Sequence, residues 1–112
     1  MTPRRGEVWL VDFGNPVGRE QAGLRPAIVV STDALNEGRA GVVMVVPITS
    51  TRRDLPSHVE IDHPSSGLDH PSYAKCEDTK SISDRRLIEH LGTAGPEAMF
   101  QVGRVLRFLL DL

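Results

Sequence analysis

The chain has 112 residues, the size of one domain, and its 39% hydrophobic, 25% charged composition with 8 Pro and 10 Gly is ordinary for a globular protein with many turns. A formal net charge of −2 argues against a broad, non-specific nucleic-acid surface. The single cysteine, Cys76, rules out an internal disulfide framework and a cysteine-based zinc site, and the longest apolar run, Gly41 to Ile48, is far too short to span a membrane.

The opening MTPRRGEVW carries charge but no apolar core of a signal peptide, so a cytoplasmic location is expected. In chain order, Glu7 to Phe13 is rich in β-branched and aromatic residues and stops at Gly14, which predicts a strand. Pro26 to Ser31 and Val42 to Ile48 are aliphatic runs of strand length. His58 to Asp62 alternates polar and apolar as a half-exposed strand does. Ser72 to Cys76 and Thr79 to Ser83 read as two more short strands, and residues 84–87 as one helical turn. After Gly95 the period changes. Pro96 suits a first helical position, and Met99, Val102, Leu106 and Leu109 recur at helical spacing. Phe100, Val105 and Leu110 widen that stripe, so the helix packs on the sheet or on another subunit. One mainly β domain over 1–112, a small closed or open barrel with a C-terminal helix, fits this order. Two connections, Gly14 to Leu24 and Thr49 to Ser57, are longer than hairpin turns.

Charge is unevenly spread. Residues 1–53 carry seven Arg and no Lys against five acids, whereas 54–112 carry six Lys or Arg against ten acids. An anion site therefore belongs in the first half, where the Arg fork suits phosphate oxygens. Arg25 precedes Pro26, which biases it to an extended backbone at the mouth of a strand. It can hold a phosphate, or pair with Glu20 on the preceding loop beside Gln21. Thr49, Ser50, Thr51, Arg52 and Arg53 combine hydroxyls with cations directly after a buried strand, as phosphate contacts require, although polar loops of this kind are common. Antiparallel pairing of 26–31 with 42–48 would bring Arg25 and Thr49 to one edge of the sheet. His58 could stack on a base or move a proton, or be an exposed polar residue; with His63 it lacks a third metal ligand. Glu77 and Asp78 could accept from base amino groups or be solvated. Trp9 and Tyr73 are too few for a stacking platform.

RGEVW, GREQAGLRPAIVVS, VVPITS, LPSHVEID and KSISDRRL occur in that order, and together they resemble the MazF/PemK family of toxin endoribonucleases from about Arg5 to the final helix. The resemblance implies an SH3-like barrel of the CcdB/PemK type, a homodimer without a cofactor or metal, and a MazE-like antitoxin as partner. It implies cleavage of single-stranded RNA (messenger, and in some relatives transfer or ribosomal) by 2′-OH attack, leaving a 2′,3′-cyclic phosphate and a 5′-OH. Arg25 and Thr49 match the catalytic pair. Glu20 and Gln21 match the loop beside the site, His58 matches an RNA contact, and Ser50, Arg52, Arg53, Glu77 and Asp78 fall among the residues that would meet RNA. Where many relatives carry Glu-Gln-Ile-Arg, this chain has Glu77-Asp78-Thr79-Lys80, which replaces an amide by a carboxylate and removes a donor. Two other functions remain open on the sequence: a non-catalytic gyrase inhibitor of the CcdB kind, indifferent to Arg25 and Thr49, and an SH3-like module that binds RNA without cutting it.

Overall fold

In a computed structural model that describes residues 2–14 and 23–112, seven strands and two helices follow one another along the chain. They are β1 (Glu7–Asp12), β2 (Leu24–Val29), α1 (Asp33–Glu37), β3 (Val42–Thr49), β4 (His58–Ile61), β5 (Ser72–Lys75), β6 (Lys80–Ser83), β7 (Leu87–Thr93) and α2 (Pro96–Leu110). Short 3-10 turns at Cys76–Asp78 and Asp84–Arg86 flank β6. The antiparallel ladder runs β4-β5-β3-β2-β1-β7, with β6 also on β3. The sheet curls without closing, as an open version of the expected barrel.

β3 is the centre of this arrangement. β2 pairs with it through Val45, Val46 and Pro47. On its other edge, β6 covers Val42 to Val45 and β5 covers Ile48 and Thr49. The 3-10 turn between β5 and β6 lets one length of chain follow β3 through its bend.

The aliphatic runs are continuous because these strands are buried on both faces. Val8, Ile28, Val46, Ile48, Val59, Ile61 and Ala74 face one core, which α2 covers with Ala98 and Val102. Trp9, Val11, Phe13, Ala27, Val29, Val43, Val45 and Ile82 form a second core on the other side. Half-exposed β4 keeps Val59 and Ile61 inward, as its alternation predicts.

Helix α2 starts where the sequence places it. Gly95, at φ +87°, precedes Pro96 at the first turn, and an added Cβ there would lie 2.3 Å from the His63 ring. The stripe is only partly core, however. Met99, Val105 and Leu106 pack against it, whereas Leu109 is 41% and Phe100 64% exposed.

Two elements were not anticipated. Helix α1 is a single turn capped by Thr32, whose Oγ1 accepts from the Leu35 N–H at 3.2 Å. Strand β7 has no fully buried residue, so it lacks the alternation that marks a strand. It forms through a bulged pairing with β1, reinforced by Trp9 stacked on His90 at 5.3 Å.

Candidate functional site

The β2–β3 ladder pairs Ala27 with Pro47, Ile28 with Val46 and Val29 with Val45; the same antiparallel register continued two residues beyond the paired stretch would bring Arg25 level with Thr49. Thr49 lies opposite Tyr73 of β5, and Tyr73 lies opposite Glu60 of β4. Directly opposed residues project from the same face. Thr49, Tyr73 and Glu60 therefore make one row across three strands, which Arg25 would join on the continued β2–β3 register. Ile48, Ala74 and Val59, next to them in the chain, point the other way, into the core beneath α2. Arg25 is exposed and Thr49 half-buried, so the row opens to solvent at the strand ends.

Thr49 is held in a defined state. Its Oγ1 accepts from the backbone N–H of Thr51 at 3.1 Å. A hydroxyl has one proton to give, and this contact leaves that proton available to an anionic oxygen. The adjoining loop residues Ser50, Arg52 and Arg53 are exposed. Arg52 is directed by Asp54, whose Oδ1 accepts from Nε at 2.8 Å. Glu20 and Gln21 lie outside the described residues.

His58 is not the exposed polar residue that the strand pattern allows. Its side chain is 3% exposed, and its Nε2 lies 2.9 Å from Glu77 Oε2. Burial works to raise the Glu77 carboxyl, but hydrogen bonds from its own backbone N–H, His58 and Ser57 outweigh it and leave the group below the ordinary carboxylate value. Asp78 is paired with Lys75 Nζ at 2.9 Å. Both acids that could meet base amino groups are thus engaged within the protein. Lys75 and His58 oppose one another across β5 and β4, two residues along from the Tyr73–Glu60 pair.

The structure therefore gathers Arg25, Thr49, Ser50 and Arg52 around one sheet edge, with His58, Glu77 and Asp78 in an adjoining cluster. Sequence reasoning set Tyr73 aside, with Trp9, as too few for a stacking platform, and passed over Glu60. Their strands were legible, but only the pairing register brings them level with Thr49. Among the described residues no group of three or more His, Cys, Asp or Glu side chains is placed to hold a metal ion. No described helix is long and apolar enough to cross a membrane.

Comparison with known proteins bears on this geometry. The chain is 36% identical to the endoribonuclease MazF9 of Mycobacterium tuberculosis, the match covering 97% of each. It is 31% identical to the endoribonuclease EndoA of Bacillus subtilis over 100% of this chain and 97% of EndoA. Among solved structures, MazF from Deinococcus radiodurans superposes with a TM-score of 0.86 at 28% identity, covering 100% of this chain and 99% of that one. A mycobacterial endoribonuclease in complex with its cognate antitoxin gives 0.82 at 27% identity, covering 98% and 96%. Residues 4–110 match the model of one family, and by that span this chain belongs to the PemK-like, MazF-like toxins of type II toxin–antitoxin systems.

Proposed function

We propose that this chain is the toxin of a type II toxin–antitoxin pair and that it acts as an endoribonuclease on single-stranded RNA, cutting at a short sequence. The two relatives named endoribonucleases match it along nearly their whole length. The observation that supports the reading is the antiparallel β2–β3 pairing, whose register, continued from Ala27–Pro47, would bring Arg25 level with Thr49 at the solvent-facing end of the strands.

The reaction that fits this pair begins with the ribose 2′-OH attacking its own phosphorus. As the new O–P bond forms, the bond to the 5′ oxygen breaks, leaving a 2′,3′-cyclic phosphate and a 5′-OH. Negative charge rises on the non-bridging oxygens. The Arg25 guanidinium, a permanent cation, and the free O–H of Thr49 stabilise that charge, each by about 3 kcal/mol, the worth of one oxyanion-type donor. The nucleophile is part of the substrate, so the step needs no metal-bound water. Ser50, Arg52 and Arg53 draw in the RNA backbone.

The active unit is a homodimer in the cytoplasm, formed by a single toxin domain spanning 1–112. A MazE-like antitoxin with an acidic segment would cover the Arg-bearing face. Exposed Phe100, Phe108 and Leu110 on α2 support association.

The test is incubation of the protein with a mixed RNA pool in EDTA, followed by mapping of the new 5′ ends. A shared short sequence and cyclic phosphate termini are expected from the wild type. Arg25→Ala should remain folded and lose activity by at least 10²-fold. A folded Arg25→Ala protein that cuts at the wild-type rate would overturn the mechanism.

A further inference from the structure

We propose that Tyr73 and Glu60 form a nucleobase subsite beside the cleavage point, and that it takes a base carrying an exocyclic amine. The inference rests on the ribonuclease reading above and adds residues that choose the base.

Tyr73 stands directly across from Thr49, so its backbone is one strand spacing, about 4.8 Å, from that of the residue that meets the phosphate, and its side chain leaves the same face. Glu60 stands one strand beyond. A cavity of about 320 Å³ opens here, lined by Arg52, Asp54, Leu55, Pro56, His58, Glu60 and Tyr73. Its walls combine one aromatic ring and two apolar side chains with two carboxylates, a guanidinium and an imidazole. A nucleobase needs both kinds of surface, one for its flat face and one for its polar edge. Arg52, fixed on Asp54 at 2.8 Å, is close enough to Glu60 for its charge to act on it. It offsets the repulsion between Glu60 and an incoming phosphate chain.

The polar edge sets the preference. An ionised carboxylate only accepts hydrogen bonds, so Glu60 favours a base that offers an N–H₂ group. His58 is engaged with Glu77 through Nε2 at 2.9 Å, and its side chain is 3% exposed. Asp54 is engaged by Arg52, so Glu60 supplies the acceptor, and its two oxygens suit the hydrogens of an exocyclic amine. Uracil has no such amine, and its carbonyl oxygens would face that carboxylate.

The experiment measures kcat and KM on RNA oligonucleotides that differ at single positions flanking the cut, for the wild type, Tyr73→Phe, Tyr73→Ala and Glu60→Gln. Tyr73→Phe keeps the ring and should stay near the wild type. Tyr73→Ala should raise KM about ten-fold or more, the loss of one stacked base, with kcat little changed. Glu60→Gln supplies a donor and should admit uracil at one position and leave the others as they were. The subsite is overturned if the wild type cuts RNA while Tyr73→Ala keeps its KM and base preference. It is also overturned if Tyr73→Phe fails as badly as Tyr73→Ala. Should Tyr73→Ala not fold, Glu60→Gln decides alone, since Glu60 is exposed; an unchanged preference at every position then removes the proposal. If the wild type cuts no RNA at all, the ribonuclease reading falls first and the subsite with it.

Discussion

Thr49 gives its oxygen lone pair to the Thr51 N–H and keeps its proton for a ligand, so Thr49→Val deletes a donor and little volume. Thr49→Val should fold normally and lose about 10²-fold or more in kcat, and Thr49→Ser should recover part of the loss; single-turnover cleavage of one oligonucleotide checks both. Cys76 shows the opposite relation between position and chemistry. Burial first, and the Glu77 charge second, push its thiol up to about 11 from an ordinary 9.0, so it is an inert core residue at neutral pH. Because the folded thiol sits above its unfolded value, the associated stability is complete below about pH 9 and is lost as pH rises through about 11. Urea titrations across that range should show a decline for the wild type that Cys76→Ala lacks. Glu77 has the reverse sign. Its lowered carboxyl contributes stability above the ordinary carboxylate value, and that contribution is lost as pH falls below it.

At the scale of elements, the sheet edge carrying the site depends on contacts remote from it. The Thr93 N–H donates to the Ser65 carbonyl at 2.8 Å, which fastens the β4–β5 connection onto β7. An added Cβ on Gly92 would lie 2.1 Å from that same carbonyl. Gly92→Ala should therefore displace the connection and cost about 1–3 kcal/mol, the usual range for overpacking, measured by the urea midpoint. Strand β7 shows why some elements escaped the sequence: its residues are half-buried or exposed, and its partner β1 supplies the order through a bulged register. Helix α1 did leave a local trace, Thr32 followed by Asp33, but a single turn lacks the length to show a period.

Across the whole molecule, the arginines are concentrated in the first half of the sequence and the acids in the second, despite a net charge of only −2. Binding of an uncleavable RNA should weaken with salt, and Arg52→Ala or Arg53→Ala should each reduce the log–log slope by about 0.7, the share of one single-strand phosphate. Helix α2 ends in an apolar group left uncovered by its own chain, with Phe108 80% and Leu110 61% exposed. That surface is more than a solitary subunit usually leaves in water. Sedimentation should find a dimer, and Phe108→Glu should shift it towards monomer.

The sequence by itself determined six of the seven strand segments, the closing helix, the Arg25–Pro26 step and the hydroxyl-rich loop, because hydrophobic period, turn residues and proline act over a few neighbouring positions. Only the tertiary structure decided what stands beside what. Pairing register levels Tyr73 and Glu60 with Thr49, and burial takes His58 from the surface and seats it on Glu77. Register and burial arise from residues far apart in the chain, and no local pattern around Tyr73 or His58 encodes which strand will lie alongside.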